Sequence, residues 1–361
     1  MIGAPLFGYL SDYYGRRVVI LISLSAAVIL GVGTSFALSY SAFVALRFFL
    51  GLALQGTQVC FVLLVEWLPV NKRSLYGVLS QWIWAASVMF LALLGFIFPN
   101  WNDLQLAISL IALLLVMAYF FFVKESIRWL ILENRIDDAS DSINRVLRTN
   151  HKASEMNWEM QHELVSIASY MQGQLPDEKP AYTLLDCFRP TGLRRTSICM
   201  MYIWFSCGIG YYGLFFATAP LVDNLAINVF INGLLELVPC LISLIVVPQY
   251  GRKQPMVIWS FLGGFSCILS CLVRGSEPSM DAGRTALIII GRMALSGSFC
   301  CFLIWTAELY PTVLRGNGIG VCMFALRLGG VLAPQLLSLV RVVMSSLQTN
   351  RNLTCYRGYM C

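Results

Sequence analysis

Apolar runs of about 20 residues, the length that a helix needs to cross a bilayer, constrain this sequence more than any other feature. Only 12% of the residues are charged and 58% are hydrophobic, whereas a soluble domain has about twice that charged fraction. The composition therefore predicts an all-α polytopic membrane protein. We predict a partial span at 1–10 and nine full spans at 18–38, 43–65, 76–98, 104–123, 196–218, 225–247, 256–273, 285–306 and 317–344.

Basic residues fix the predicted orientation, because Lys and Arg close to a span stay on the cytoplasmic side. If every run crosses the membrane, the segment 124–195 and all the short basic connections fall on one side. The connections on the opposite side carry few charges. The basic connections contain Arg16/Arg17, Lys72/Arg73, Arg194/Arg195, Arg252/Lys253 and Arg315.

Charge and cysteine usage argue against several functional classes. The net charge is +6, but residues 124–195 hold 10 Lys+Arg against 11 Asp+Glu. The basic excess therefore lies in the short connections, where topology requires it, and predicts no nucleic-acid partner. The cysteines are scattered through apolar runs, and the histidines are only His151 and His162. We expect no metal, no cofactor and, without a nucleophile–base pair or phosphate loop, no enzyme.

The long polar segment divides the chain into three predicted parts. Residues 1–123 form an N-terminal bundle, 124–195 a cytoplasmic loop and 196–361 a C-terminal bundle. Within the loop, apolar residues recur at helical spacing over 127–132, 136–147 and 156–171, which predicts short helices on the cytoplasmic face.

An internal repeat relates the two predicted bundles. The turn Gly15-Arg16-Arg17 returns as Gly251-Arg252-Lys253. The exit Glu66-Trp67-Leu68-Pro69 with Arg73 returns as Glu308-Leu309-Tyr310-Pro311 with Arg315. In both exits the proline follows the glutamate by three residues and the arginine follows it by seven. Two related helical bundles are typical of secondary transporters.

These motifs resemble those of the organic cation/anion transporter family (solute carrier family 22) of the major facilitator superfamily. Residues 8–17 are similar to the superfamily loop G-x-x-x-D-[RK]-x-G-R-[RK], although Tyr13 departs from it, and Pro248 replaces the Asp of the second copy. The family motifs P-E-S-x-R-W-L and A-E-L-Y-P-T have counterparts at 124–130 and 307–312, and the seventh span matches at 201–213. The resemblance implies two bundles and a plasma-membrane location. Because the family has twelve spans, we expect a chain truncated at both ends.

The resemblance implies a cytoplasmic gate. Asp12 is expected to accept hydrogen bonds from Arg17 and from backbone N–H groups at a helix start near Gly316. The alternative is that these charges only anchor spans at the interface, where exposed ion pairs contribute about 0–1 kcal/mol. The predicted gate residues are Asp12, Gly15, Arg16, Arg17, Glu66, Arg73, Glu125, Arg128, Arg252, Glu308 and Arg315.

Charged residues within spans usually face a cavity or a partner. We expect structural roles for Arg47 and Arg292, and for Glu236 either substrate binding or a structural pair. Arg327 occupies a position that resembles the one holding Arg in anion and carnitine-type members, which favours anionic or zwitterionic substrates. Neutralisation of Arg327 by Glu236 is the alternative. The predicted substrate-binding residues are Gln55, Gln58, Trp204, Tyr211, Tyr212, Glu236, Trp305 and Arg327, with lipid contact as the alternative for each aromatic.

The sequence thus predicts a transporter of small organic ions that works by alternating access in the lipid bilayer. A sugar-type facilitator of the same superfamily is one alternative. The other is a truncated isoform that transports nothing and binds a full-length homologue. The sequence also leaves open whether the chain forms a homo-oligomer.

Overall fold

The computed structural model describes residues 2–150, 165–167, 169–170, 184–217, 224–273 and 278–358. Within these ranges the chain is helical and contains no strand. The predicted loop helix at 156–171 lies mostly outside the described residues. The helices are α1 Gly3–Tyr14, α2 Arg16–Ser35, α3 Tyr40–Leu54, α4 Val59–Trp67, α5 Val70–Ile97, α6 Trp101–Phe122, α7 Ile127–Leu132, α8 Ile136–Thr149, α9 Thr191–Ala217, α10 Leu225–Tyr250, α11 Lys253–Leu272, α12 Pro278–Leu309 and α13 Arg315–Gly358.

Nine helical segments among the described residues are long and apolar enough to cross a membrane, which confirms the predicted spans. The second of them joins α3 and α4 through a 3₁₀ turn at Gln55–Gln58. Several helices outrun their predicted spans: α9 begins at Thr191, α12 at Pro278, and α13 continues to Gly358. The reason is physical, because apolarity marks the hydrocarbon core while the backbone hydrogen-bond ladder continues into the interface.

Glycine turns end the first helix and its counterpart in the repeat. Gly15 follows α1 with φ 98°, and Gly251 follows α10 with φ 76°. An L side chain rarely adopts such a φ. At Gly15 a Cβ would also lie 2.6 Å from Oε2 of Glu125. Both copies of the motif therefore use glycine to turn the chain between two spans.

The two bundles meet through two helix pairs, α1 with α13 and α5 with α10. A Cβ built on Gly8 would lie 2.5 Å from the carbonyl oxygen of Gly316, so the backbones of α1 and α13 are in close contact. In the second pair, a Cβ on Gly233 would lie 2.7 Å from the Met89 side chain. Small residues allow this approach, as is usual between helices in membranes.

Short helices cover the cytoplasmic face, as predicted for 127–132 and 136–147. Helices α7 and α8 pack on each other through a small apolar cluster that includes Trp129, Leu130 and Ala139. The Ser126 hydroxyl caps α7 by accepting the N–H of Trp129 at 3.4 Å. This pair of helices lies directly beside the turn at Gly15, which the Glu125 contact connects to it.

Candidate cytoplasmic gate and central cavity

A buried set of charges, here called the gate cluster, joins the two bundles on the cytoplasmic side; it consists of Asp12, Arg16, Glu66, Arg315 and the backbone N–H of Asn317. Arg16 is its centre. Its Nη2 lies 3.0 Å from Oδ1 of Asp12, and its Nε lies 3.1 Å from Oε2 of Glu66. Only 1% of the Arg16 side chain is exposed and none of that of Glu66, so these are not exposed anchoring pairs.

Three contacts of the gate cluster cross from one bundle to the other. Oε1 of Glu66 accepts Nη1 of Arg315 at 3.2 Å. The Asp12 carboxylate accepts the N–H of Asn317 at 3.0 Å, at the start of α13. Arg16 Nη2 donates to the carbonyl oxygen of Thr312 at 3.2 Å. Each contact requires the cytoplasmic ends of the two bundles to lie together.

The partner of Asp12 is Arg16, and the prediction of Arg17 was wrong. The turn at Gly15 starts a new helix at Arg16, and the next residue is rotated about 100° further around that helix. Arg17 consequently points outward, where its Nη2 donates to the carbonyl oxygen of Phe120 at 2.9 Å. The predicted cap from the start of α13 is present, through Asn317.

Glu125 binds the start of α2. Its carboxylate accepts the backbone N–H groups of Arg16 at 2.9 Å, of Arg17 at 3.0 Å and of Ser126 at 2.9 Å. A helix N-terminus favours an anion in this position. Burial nevertheless raises the pKa of Glu125 above its ordinary value, since desolvation outweighs the stabilising backbone hydrogen bonds and the nearby Arg16 charge.

The other predicted gate residues are placed differently. Arg252 and Glu308 form an ion pair at 2.6 Å, but both belong to the second bundle and both are partly exposed. Arg73 is buried and donates to the carbonyl oxygen of Leu68 at 3.1 Å. Neither Arg73 nor Arg128 forms an ion pair with a carboxylate of the described residues. The structure therefore brings these four near the cytoplasmic face without joining them across the bundles.

A central cavity of about 370 Å³ lies between the bundles. Its walls are mainly aromatic and aliphatic, with a few polar groups, which is typical of small-molecule sites. The lining residues are Thr57, Gln58, Cys60, Phe61, Leu64, Ser80, Gln81 and Trp84 from the first bundle and Tyr211, Tyr212, Glu236, Ser296, Phe299, Leu303, Met323, Leu326 and Arg327 from the second.

Glu236 belongs to a buried network. Its carboxylate accepts the hydroxyl of Tyr211 and lies 3.3 Å from Nη2 of Arg292. Arg292 also donates to the side chain of Asn232 and lies 4.9 Å from the centroid of the Phe215 ring. The predicted structural role of Arg292 and the structural-pair alternative for Glu236 both match this geometry. Arg47, by contrast, is exposed and its guanidinium carbon lies 5.2 Å from the centroid of the Phe43 ring.

Arg327 faces the central cavity without an acidic partner. Its Nη1 donates to the hydroxyl of Tyr212 at 2.7 Å, and its Nε is buried without a hydrogen bond. No carboxylate of the described residues forms an ion pair with it. Glu236 pairs with Arg292 instead, so the alternative in which Glu236 pairs directly with Arg327 does not match the structure.

Five of the predicted substrate-binding residues line the central cavity, and three do not. Gln55 packs beside Gly3 of α1. Trp204 is fully buried in the core, where its Nε1 donates to Oγ1 of Thr306 at 3.0 Å, and Trp305 packs against the same core. Helical spacing placed Trp204 on one face with the cavity residues, but that face is closed two turns below them. The residues that line the cavity are Gln58, Tyr211, Tyr212, Glu236 and Arg327.

Sequence reasoning missed the contribution of α5. Ser80, Gln81 and Trp84 all line the central cavity. An amide within an apolar run is the signal that pointed to Gln58, because such a group in lipid lacks hydrogen-bond partners. The same signal is present at Gln81 and would have identified it.

Sequence comparison places the chain among transporters. A family model described as "Sugar (and other) transporter" matches residues 1–349. Solute carrier family 22 member 6-A of Xenopus laevis is 31% identical over 339 residues, covering 92% of this chain and 59% of that protein. Member 7 of Sus scrofa is 34% identical over 335 residues, covering 92% and 60%. The chain thus spans about three fifths of the length of the curated relatives it matches.

Solved structures with the same fold are also transporters. The proton:xylose symporter XylE, of the major facilitator superfamily, aligns with a TM-score of 0.67 at 19% identity, covering 94% of this chain and 76% of that one. The human organic anion transporter MFSD10 (TETRAN) aligns with a TM-score of 0.62 at 15% identity, covering 92% and 73%. With a major facilitator fold and a family match over nearly its whole length, the chain belongs to the Sugar (and other) transporter family and is a relative of solute carrier family 22.

Proposed function

We propose that this chain is, or is part of, a carrier of small organic anions or zwitterions. The observation that carries the proposal is the Arg327 guanidinium, which lies in the central cavity with a buried, unpartnered Nε and no carboxylate beside it. A guanidinium stays charged at any physiological pH. A buried charge of this kind requires an anion or solvent to balance it.

The geometry around Arg327 suits a carboxylate. A planar guanidinium donates two parallel N–H groups to a carboxylate. Tyr212 holds Nη1 from one side at 2.7 Å, which restricts the orientation of the group. Trp84, Tyr211 and Phe299 supply aromatic surface for the organic part of a substrate. The volume of about 370 Å³ lies in the range of small-molecule pockets.

Transport would proceed by alternating access. The contacts from Glu66 to Arg315, from Asp12 to Asn317 and from Arg16 to Thr312 hold the cytoplasmic ends together. Rocking of one bundle against the other would separate these groups and open the central cavity to the cytoplasm. The gate cluster therefore serves as the closing element of the outward-facing or occluded state.

The names of related proteins support an anionic substrate. Organic anion transporter 3 of Mus musculus is 31% identical over 335 residues, and it covers 92% of this chain. Sugar transport is the second candidate. It is favoured by the amides of Gln58 and Gln81 in the cavity wall, which could hydrogen-bond hydroxyl groups, and by the fold shared with a xylose symporter.

Uptake into vesicles that contain only the purified chain tests the proposal. We expect uptake of a labelled aromatic carboxylate, and little uptake of an aromatic quaternary ammonium ion or a hexose. Arg327→Asp should reverse the preference between the anion and the cation, while Arg327→Lys should keep it with weaker binding. Hexose uptake that survives Arg327→Asp would favour the sugar carrier. Absence of all flux, with co-purification of a longer homologue, would favour the non-transporting isoform.

A further inference from the structure

A second cavity, here called the cytoplasmic cavity, has no part in the transport mechanism described above. It has a volume of about 640 Å³ and lies between the start of α2 and the helices α7 and α8. Basic side chains from three parts of the chain converge on it. They are Arg17 at the start of α2, Lys124 after α6, and Arg145 and Arg148 on α8.

None of these four basic side chains forms an ion pair with a carboxylate of the described residues. The acidic groups in the same walls are largely engaged elsewhere. Asp138 pairs with Arg135 at 2.7 Å, and Glu125 accepts backbone N–H groups at the start of α2. Asp141 is the remaining acid in the wall.

The cations are close enough to affect one another. The pKa of Lys124 is lowered, first by partial desolvation and then by the positive charges of Arg145 and Arg17, while Asp141 opposes the shift. Like charges that face one cavity repel each other, and an anion between them would remove the repulsion. The cavity therefore has the electrostatics of an anion site.

The cytoplasmic cavity adjoins the surface that faces lipid. Tyr14 and Val18 at its rim are 58% and 47% exposed, and Phe122 at the end of α6 is 83% exposed. The Arg17 guanidinium donates to the carbonyl oxygen of Phe120, one turn or less from these side chains. Exposed apolar side chains next to cations mark the interface of the cytoplasmic leaflet.

We propose that the cytoplasmic cavity binds the headgroup of an inositol phospholipid that carries at least one phosphomonoester. A phosphomonoester has a charge of about −1.5 to −2 at neutral pH, which suits several unpaired cations better than the single charge of a phosphodiester does. Basic pockets on the cytoplasmic side of membrane proteins bind such headgroups. The apolar rim at Tyr14 and Val18 would accommodate the start of the acyl chains.

Binding would also act on the gate cluster. Trp129 in the cavity wall donates its Nε1 to the carbonyl oxygen of Asp12 at 3.0 Å. Arg17 is the neighbour of Arg16, and both backbone N–H groups are held by Glu125. A bound headgroup would therefore stabilise the closed arrangement. This inference does not depend on which solute the central cavity takes.

The test is direct binding to the full purified chain in detergent, followed by thermophoresis with dioctanoyl phosphatidylinositol 4,5-bisphosphate. We expect saturable binding that the triple variant Lys124→Gln/Arg145→Gln/Arg148→Gln weakens by about 100-fold, since each Lys or Arg near an anionic headgroup contributes about a factor of five. The matched control is Arg194→Gln/Arg195→Gln/Lys253→Gln. It removes three exposed cations from the same face, outside the cavity, and should change affinity by less than about twofold.

Three further measurements separate this proposal from other readings. Dioctanoyl phosphatidylserine should bind at least about tenfold more weakly; equal binding would overturn the proposal in favour of nonspecific charge attraction. Inositol trisphosphate with the same affinity as the lipid would overturn the lipid assignment in favour of a soluble ligand. An equal loss in the control variant would remove the site from this cavity. Unchanged size-exclusion elution and melting temperature of the triple variant exclude unfolding as the cause of lost binding.

Discussion

Glu66→Gln is the sharpest test of the gate cluster. The change keeps the shape of the side chain and removes its charge. In the structure, Glu66 lies 3.1 Å from Arg16 and 3.2 Å from Arg315, and its side chain is inaccessible to solvent. Of these contacts, only the one to Arg315 crosses between the bundles. The mutation therefore acts on the closed state more than on the open one.

The expected magnitude follows from that geometry. A hydrogen bond to a charged group contributes about 1.5–3 kcal/mol, and the open state would recover part of it by solvating Arg315. A loss of about 1.5–3 kcal/mol in the closed state corresponds to an increase of about 10- to 150-fold in the ratio of open to closed molecules. Breaking a buried pair can cost about 3–5 kcal/mol in total stability, so the variant should also unfold at a lower temperature.

Labelling of a cysteine at position 11 measures the opening. The Ser11 side chain is buried where α1 meets α13, and a Cβ on Gly316 would lie 2.7 Å from its Oγ. In inside-out vesicles of a Ser11→Cys chain, Glu66→Gln should speed labelling by an impermeant maleimide by about tenfold or more. The matched control is Glu308→Gln, whose partner Arg252 lies in the same bundle; labelling should not change. Equal labelling in Glu66→Gln and its parent would refute the gating argument.

Two further predictions concern the turn at Gly15 and the carboxylate beside it. Gly15→Ala should lower the unfolding free energy by about 1–3 kcal/mol, because its φ is 98° and a Cβ would meet Glu125; Gly213→Ala, with nothing within 4 Å, should be neutral or slightly stabilising in the same thermal scan. Because the pKa of Glu125 is raised by burial, its ionisation disfavours the folded chain: melting temperature should fall from acidic pH through the raised pKa more steeply in the parent than in Glu125→Gln, and parallel curves would contradict this assignment.

Much of the fold was predictable because its signals are local. Run length predicted nine spans, and the positive φ of Gly15 and Gly251 matches the turns that the repeated glycines indicate. The cap of Asp12 on the start of α13 was also predictable, since a carboxylate near a helix N-terminus is favoured wherever the two meet.

The site was less predictable because it depends on how deep each residue sits. Trp204 and Tyr211 share a face of α9, yet one is fully buried in the core and the other lines the central cavity. The choice between Arg16 and Arg17 depended on the single residue at which α2 begins. Pairing of Glu236 with Arg292 needed the relative position of α10 and α12, which periodicity does not provide.

The two copies of the repeated motif differ in what they can do, and the reason lies in where the following helix begins. After Pro311, a 3₁₀ turn at Thr312–Leu314 delays the start of α13 to Arg315. The N–H of Asn317 is therefore in the first turn, without a partner inside the helix, and is available to Asp12.

In the other copy, α5 begins directly after Pro69. The residues that correspond to those at the start of α13 already lie inside the helix, where their N–H groups bond to the preceding turn. Pro248, at the position that corresponds to Asp12, also has no carboxylate to offer. Both halves of the capping interaction are thus missing from the second copy. Glu66, which reaches Arg315 across the interface, has its counterpart in Glu308, which stays within its own bundle. The charged closure of the cytoplasmic face is therefore concentrated where α1 and α4 meet α13, and the helix pair α5 and α10 contributes packing in its place.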